Sequence, residues 1–129
     1  MIIGQDGFSY TEVLVSMAVI TVAVLGFSLN TISVMRGNIN STRYTVAANL
    51  AQDKLEQLSA QRVFHNADRC PNAGDRGISA SGAPGGIYDR CWTIQDSGLG
   101  SGLKEISVIV RWQDSETRSV TLSTLVFTD

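Results

Sequence analysis

The sequence predicts an α+β protein in which a long N-terminal helix packs on a small antiparallel β-sheet. Two observations lead to this fold class. No proline interrupts residues 8–63, and two runs near the C-terminus alternate apolar and polar residues on either side of a short polar turn. A continuous helix over residues 8–63 would be on the order of 84 Å long, with bends expected near Gly26 and Gly37. We expect its first half to be transmembrane and its second half to be amphipathic.

The first half of the predicted helix contains an apolar run with no charged residue from Val13 to Met35. As a helix this run would span roughly 35 Å at about 1.5 Å per residue, which is enough to cross the bilayer hydrocarbon. A discarded secretory signal peptide fits poorly, because such a peptide has a basic start, a shorter apolar region and a small-x-small cleavage site. The run is therefore predicted to lie in a membrane, at least transiently.

The second half, residues 36–63, is polar but keeps apolar or small residues at spacings of three and four. This spacing predicts one face that packs against another element. The residues of this face are Ala47, Leu50, Ala51, Leu55 and Leu58. Asp53 and Glu56 are assigned to the solvated face, because their spacing of three suits a helix surface. Neither lies in an apolar context, so we expect no acid-base catalysis there.

The last part of the chain, residues 64–129, begins with a loop-rich region that holds both prolines and most of the glycines. One short strand is predicted over Ile87–Ile94. A β-hairpin is predicted from Lys104–Trp112 and Val120–Val126, with its turn at Gln113–Glu116. The side chains expected on one face are Ile106, Val108, Val110 and Trp112, with Val120, Leu122, Thr124 and Val126 on the partner strand. So few strands need an apolar cover, which the amphipathic half of the helix can supply.

Cys70 and Cys91 are the only cysteines, and we expect them to form a disulfide in this small region. A bridge that closes about 20 residues would contribute roughly 3 kcal/mol and implies an oxidising compartment. A metal site that adds His65 and Asp68 is the alternative, but the spacings match no common zinc pattern. The glycine-rich segment Ser97–Gly102 precedes a strand and not a helix, so it is expected to be a loop and not a phosphate site.

Composition argues against two function classes. The chain has 10 Lys and Arg against 12 Asp and Glu and a net charge of −2, without the basic cluster of a nucleic-acid-binding protein. No recognisable motif places a nucleophile beside His65, so we expect no enzyme activity and no cofactor. Trp92 and Trp112 could line a binding surface, although aromatic residues in strands more often pack in a core.

Glu12 is the one charged residue at the entrance to the apolar run. A carboxylate on a membrane helix costs roughly 2.5–3.5 kcal/mol at the bilayer centre and less near an interface, so it is rarely kept without a partner. One role for Glu12 is to close a capping box with Ser9, which would satisfy two backbone donors at the helix start. That role does not exclude a second one with a cationic partner.

The segment Gly7-Phe8-Ser9-Tyr10-Thr11-Glu12-Val13-Leu14-Val15 resembles the class III signal of type IV pilins and type II secretion pseudopilins. This resemblance implies that prepilin peptidase cleaves between Gly7 and Phe8 and that Phe8 is N-methylated. Glu12 would become the fifth residue and would pair with the N-terminal ammonium of a neighbouring subunit during assembly. The segment Ala47–Leu58 is similar to the post-membrane helix of PilV-type minor pilins and I-type minor pseudopilins.

The resemblance implies a leader at residues 1–7, a transmembrane and filament-core helix at 8–35, an amphipathic helix at 36–63 and a disulfide-stapled β head at 64–129. The expected function is that of a minor pilin, a structural subunit of a type IV pilus. The expected partners are prepilin peptidase, other pilin subunits and the inner membrane, without direct binding of nucleic acid. The head would lie in the periplasm before assembly, and the subunit would then reach the pilus and cell surface.

Two alternatives stay open at this point. A minor pseudopilin of a type II secretion system would share the signal, the helix and the small head. An uncleaved, single-pass membrane-anchored periplasmic binding domain is the other alternative. It is kept open by the lack of Lys and Arg in Met1–Asp6, because leaders of the pilin family are normally basic. Arg36 and Arg43 follow the apolar run, so the positive-inside rule taken alone would favour the opposite orientation of the helix.

Overall fold

The computed structural model describes Gly7 and residues 9–128, with the backbone alone for Leu29. The elements follow in the order α1 (Tyr10–Ser59), β1 (Ala67–Asp68), β2 (Asp75–Ile78), β3 (Tyr88–Asp96), β4 (Leu103–Gln113) and β5 (Thr117–Phe127). This is the predicted α+β class, with one long helix and one antiparallel sheet. The chain divides into two compact units, Met1–Asn40 and Ser41–Asp129, so that α1 contributes to both.

Helix α1 is continuous through Gly26 and Gly37, and it ends earlier than the sequence predicts. Its last turn closes with a hydrogen bond from Ala60 N to Glu56 O at 3.0 Å, followed by a tighter one from Gln61 N to Leu58 O at 3.2 Å. Phe64, a few residues later, is buried in the core. The helix therefore stops at Ser59, since burial of the Phe64 ring requires the chain to turn. The bends expected near the two glycines and the boundaries at residues 7, 35 and 63 stay predictions.

The sheet has the strand order β1-β3-β4-β5, and β2 also pairs with β3. Strands β1 and β2 lie on the same side of β3, each along a different part of it, with Ala67 opposite Ile94 and Asp75 opposite Arg90. Every pairing is antiparallel. Strand β3 is therefore the centre of the sheet, and β5 has β4 as its sole neighbour among the residues that the structure describes.

The hairpin predicted near the C-terminus is confirmed. Strands β4 and β5 pair without a shift of register from Leu103 opposite Phe127 to Gln113 opposite Thr117. On β4 the alternate residues Ile106, Val108 and Val110 are fully buried and Trp112 is 2% exposed. The alternation of apolar and polar residues thus identified the inner face correctly.

The core of the C-terminal unit lies between the second half of α1 and this inner face of the sheet. From the helix come Ala47, Leu50, Ala51 and Leu58, each at most 5% exposed. From the rest of the unit come Phe64, Ile78, Tyr88, Ile94, Ile106, Val108, Val110 and Trp112. The spacing of three and four in the sequence therefore marked the correct face of the helix, and Leu55 packs at the margin of the cluster.

The two shortest strands, β1 and β2, were missing from the sequence interpretation. They have two and four residues, and β2 reads Asp-Arg-Gly-Ile, without alternation or β-branched enrichment at its start. Gly74 precedes β2 at a point where a Cβ would collide with the backbone carbonyl of Arg90. Strand β2 therefore depends on a close approach to β3 that only glycine permits, and such contacts are tertiary and not local.

Candidate functional site

The segment predicted to be a cleavage and assembly signal leads into the start of α1. Gly7 and Glu12 are both exposed, and Glu12 occupies the first turn of the helix, where a carboxylate is favoured by the helix dipole. The backbone carbonyl of Ser9 accepts hydrogen bonds from Glu12 N at 2.9 Å and Val13 N at 3.2 Å. Phe8, the residue predicted to follow the cleavage site and to be methylated, lies outside the described residues, as do residues 1–6 of the predicted leader.

The reciprocal capping box expected between Ser9 and Glu12 is not present among the hydrogen bonds of the described residues. The Ser9 hydroxyl is instead paired with the Thr11 hydroxyl at 2.9 Å. The helix start is therefore closed by the backbone carbonyl of Ser9, and the Glu12 carboxylate is not occupied in capping. Its side chain remains exposed and able to meet a group from outside the chain.

After Glu12, the first half of α1 is exposed although it is apolar. The 18-residue window that is long and apolar enough to cross a membrane has none of its residues buried. Val22 is 71% exposed and Phe27 is 76% exposed, and the same holds for the large side chains on every side of this part of the helix. A helix that is apolar all round requires an apolar environment, which lipid or other helices can supply.

Hydroxyl side chains within the apolar run bond back to the helix itself, a feature that was not expected from the sequence. Four of them donate to the carbonyl four residues earlier: Ser16 to Glu12 at 2.8 Å, Thr21 to Met17 at 2.8 Å, Ser28 to Val24 at 2.9 Å and Thr31 to Phe27 at 3.0 Å. These hydroxyls therefore need no water, and the run can enter an apolar environment without leaving those donors unsatisfied. The spacing from each hydroxyl to the preceding turn could have suggested this bond.

In the C-terminal unit, Cys70 and Cys91 form the predicted disulfide, with a sequence separation of 21 residues. The alternative metal site with His65 and Asp68 is wrong for these cysteines, since neither sulfur is free to act as a thiolate ligand. Across the described residues, no group of three or more His, Cys, Asp or Glu side chains could hold a metal ion. The disulfide joins the loop between β1 and β2 to β3.

Neither tryptophan lies in a loop that could capture a ligand. Trp112 is buried on β4, where its ring meets the Tyr44 ring edge-on with centroids 4.9 Å apart. Trp92 lies on β3 under the ammonium group of Lys54, which is 3.9 Å from the ring centroid. Both aromatic side chains therefore pack between α1 and the sheet, as strand position favours. The glycine-rich segment Ser97–Gly102 is a loop between β3 and β4, as expected.

A polar cluster between α1 and the sheet was missing from the sequence interpretation. The Arg90 guanidinium donates to Asp75 Oδ2 at 2.7 and 3.0 Å and to the backbone carbonyl of Leu50 at 3.0 Å. Lys54 Nζ lies 4.0 Å from the same carboxylate oxygen. Burial lowers the pKa of Lys54, the negative charge of Asp75 opposes this effect, and the positive charge of Arg90 adds to it. The cluster attaches the helix to β2 and β3 and resembles no catalytic arrangement.

Asp53 and Glu56 lie on the exposed side of the helix, as predicted. Glu56 accepts a hydrogen bond from the side chain of Gln52 at 3.1 Å, and both carboxylates remain in contact with solvent. His65 is also exposed. The residues predicted to act in processing and assembly, Gly7 and Glu12, belong to one compact unit. The disulfide belongs to the other unit.

Comparisons of the chain with protein-family models, with curated proteins and with solved structures found no match. The long N-terminal helix, its packing on an antiparallel sheet and the disulfide are compatible with a pilin-like fold. Membership of the pilin family stays a prediction from the resemblance of the N-terminal segment.

Proposed function

We propose that this chain is a minor pilin, a structural subunit that prepilin peptidase processes and that is assembled into a type IV pilus or primes it. The observation that carries the proposal is the junction Gly7–Glu12, which leads directly into an exposed apolar helix without charge from Val13 to Met35. A membrane-anchored binding domain needs the apolar surface but does not need a free carboxylate at its entrance. A subunit that exchanges lipid for neighbouring helices does.

In this proposal the inner membrane holds the apolar half of α1 until cleavage after Gly7, with the disulfide-bonded unit in the periplasm. The new ammonium group of Phe8 then pairs with the Glu12 carboxylate of a neighbouring subunit. An α-amino group has a pKa near 7.7–8.0 and is therefore mostly cationic at neutral pH. Each charge neutralises the other as both leave water, and loss of one would strand its partner. The subunit acts by assembly and not by catalysis.

The first experiment is the mass of the N-terminal peptide of the protein from membranes of cells with and without prepilin peptidase. We expect N-methylated Phe8 as the first residue when the peptidase is present and an uncleaved chain when it is absent. A chain that keeps its leader in both strains would contradict the proposal and would favour the membrane-anchored binding domain, the alternative supported by the lack of basic residues in Met1–Asp6.

The second experiment compares Glu12→Ala with Asp53→Ala in filaments sheared from cells. Both changes remove an exposed carboxylate from α1, but only Glu12 lies beside the new N-terminus. We expect Glu12→Ala to be cleaved normally and to be depleted at least several-fold from filaments, whereas Asp53→Ala should be incorporated like the unaltered chain. Equal amounts of the Glu12 variant in filaments would refute the assembly role.

A minor pseudopilin of a type II secretion system is the second candidate, since the same junction and helix would serve it. The two functions differ in what the cell loses. Deletion of a minor pilin reduces surface filaments, while deletion of a minor pseudopilin leaves secreted enzymes in the periplasm. We expect the first result for this chain.

A further inference from the structure

A cleft at the turn end of the β4–β5 hairpin is lined by two arginines, Arg76 of β2 and Arg111 of β4. Its volume is about 320 Å³. Arg111 is half-buried and Arg76 is exposed. Further walls come from the segment Pro71–Asn72, from the start of β3 and from the first residue of β5. We call this site the arginine cleft, and it lies wholly within the C-terminal unit.

The two arginines differ from other cations of this unit because they have no acidic partner. Four cations lie within 4.0 Å of a carboxylate oxygen: Arg43, Lys54, Arg90 and Lys104. In the part of the chain that the structure describes, neither Arg76 nor Arg111 forms such a pair. A guanidinium group carries several N–H donors and is always charged. Both arginines therefore keep donors and charge for a group from outside the chain.

Hydrogen bonds anchor both guanidinium groups to the same short segment. Arg76 Nη2 donates to Asn72 Oδ1 at 2.8 Å, and Arg111 Nη2 donates to the backbone carbonyl of Pro71 at 3.2 Å. The two acceptors belong to consecutive residues. This segment directly follows Cys70, whose disulfide attaches it to β3. The arginines are therefore held in place before a ligand arrives, which lowers the entropic cost of binding.

Asp89 is the acidic residue among those that line the cleft. The register of β3 and β4 places it opposite Arg111. Its carboxylate bonds instead towards β2, where Oδ1 accepts a hydrogen bond from Gly77 N at 2.9 Å. Two arginines and one aspartate give the cleft a formal charge of +1. A single carboxylate neutralises this charge, whereas a phosphate dianion would exceed it.

We propose that the arginine cleft binds a carboxylate group through forked hydrogen bonds from Arg76 and Arg111. The planar guanidinium group matches a carboxylate with two parallel N–H···O bonds. Two sources supply this chemistry: a free organic acid, and an acidic side chain of a second copy of this chain. The site goes beyond the proposed function and does not require processing at Gly7, so the two proposals fail separately.

The first test is a titration of the full-length chain with acetate, in micelles of a nonionic detergent at low ionic strength. It is followed by the NMR signals of the arginine Nε–H groups, with chloride at the same ionic strength as the salt control. We expect saturable shifts for Arg76 and Arg111 and none for Arg62, an exposed arginine outside the cleft. No saturable shift, or an equal shift of Arg62, would overturn the proposal.

Arg111→Lys separates forked recognition from simple charge attraction, because it keeps the charge and removes the planar fork. We expect acetate to bind at least about fivefold more weakly to this variant, as read from the Arg76 signal. Arg62→Lys is the matched control and should leave the affinity unchanged. Dispersed amide signals will show that each variant is folded. Equal affinity of Arg111→Lys and the unaltered chain would refute the forked contact.

Asp89→Asn tests the charge of the cleft. An amide oxygen can still accept the hydrogen bond from Gly77 N, so the fold should persist while the formal charge rises from +1 to +2. We expect acetate to bind at least about threefold more tightly. Inorganic phosphate, the weaker ligand of the unaltered chain, should become the stronger one. Acetate binding to the variant alone would overturn the proposal, because Asp89 would then be the partner of the two arginines.

The source of the carboxylate is decided by changing the protein concentration without acetate. If the natural ligand is a free acid, the signals of Arg76 and Arg111 should stay in place at every concentration. If a second copy supplies an acidic side chain, these signals should move as the concentration rises and return when acetate is added. A movement that acetate does not reverse would contradict the proposal, because the arginines would then meet a group other than a carboxylate.

Discussion

Arg90 joins the helix to the sheet, a role that the neighbouring residues in sequence do not reveal. It lies in the strand predicted over Ile87–Ile94, where nothing in the sequence indicated that its guanidinium bonds to the Asp75 carboxylate and to a carbonyl of α1. Its side chain is 12% exposed. A planar donor group of this kind can satisfy several acceptors at once, which a lysine could not do with the same geometry. The helix and the sheet are thus joined by a polar contact as well as by apolar packing.

Asp96, at the end of β3, should make the stability of the C-terminal unit depend on pH. Its carboxylate accepts hydrogen bonds from Lys104 Nζ at 2.7 Å and Asn66 Nδ2 at 3.1 Å, and these two partners, Lys104 first, lower the pKa of Asp96. A carboxyl group whose pKa falls on folding stabilises the folded state above its unfolded pKa. That contribution is lost as pH drops through the folded pKa.

We therefore expect Asp96→Asn to lower the free energy of unfolding near neutral pH, with the difference from the unaltered chain shrinking as pH falls through the pKa of Asp96 in the folded chain. Urea unfolding followed by tryptophan fluorescence at several pH values measures this. Asp53→Asn is a suitable control, because it removes a carboxylate from the exposed side of α1 that accepts no hydrogen bond from Lys104 or Asn66. A constant difference across the whole range for Asp96→Asn would contradict the assignment.

At the scale of elements, the second half of α1 should determine the stability of the sheet. Leu50 is 1% exposed and belongs to the cluster between the helix and the inner face of the sheet. We expect Leu50→Ala to reduce the free energy of unfolding of this unit by about 2–5 kcal/mol, because it removes buried methyl groups and leaves a cavity.

Leu14→Ala provides the matched control, since Leu14 lies in the same helix but is 49% exposed. Both tryptophans belong to the C-terminal unit, so their fluorescence reports on its unfolding and not on the apolar half of the helix. We expect less than about 0.5 kcal/mol for this change. Equal effects of the two substitutions would show that the second half of α1 does not support the sheet.

Elements with a regular pattern could be predicted from the sequence, and those without one could not. The hairpin β4–β5 and the buried face of α1 follow from periods of two and of three to four, which are properties of the local chain. Strands β1 and β2 follow no such period. They exist because β3 offers an edge to them and because Gly74 allows the backbones to approach. The helix end at Ser59 also depends on a tertiary contact, because Phe64 must turn into the core between α1 and the sheet.

At the scale of the whole molecule, the small size of the C-terminal unit makes the disulfide important. The bridge between Cys70 and Cys91 closes a loop with a sequence separation of 21 residues. We expect the double change Cys70→Ser and Cys91→Ser to lower the free energy of unfolding by about 3 kcal/mol, because the unfolded chain gains freedom. Urea unfolding of both proteins with and without a reductant measures the effect.

Reductant should destabilise the unaltered chain and leave the serine variant unchanged. If reduction had no effect on the unaltered chain, the bridge would not be a stabilising element. The expected dependence also fits an oxidising compartment, where the bond forms and persists.

For the candidate site, the sequence supplied the motif and the structure supplied its surroundings. Gly7, Glu12 and the apolar run could be identified from the order of residues alone. Only the structure shows that the Ser9 hydroxyl bonds to Thr11, so that the Glu12 carboxylate takes no part in a capping box. Only the structure shows that hydroxyls within the run donate to helix carbonyls. Arg90 and Lys54 were missed because a charged residue in a strand or on a helix gives no sign of the partner that will bury it.

The division of α1 between two units determines where the chain can be cut. Ala47, Leu50, Ala51 and Leu58 form one wall of the core, although they belong to the same helix as the apolar run. A fragment that began at Phe64 would lose that wall and expose the inner face of the sheet. A fragment that began near Ser41 would keep these four helix residues and would lack the apolar run Val13–Met35. The practical boundary for a water-soluble piece of this protein therefore falls inside an unbroken helix, a place where linkers are not usually sought.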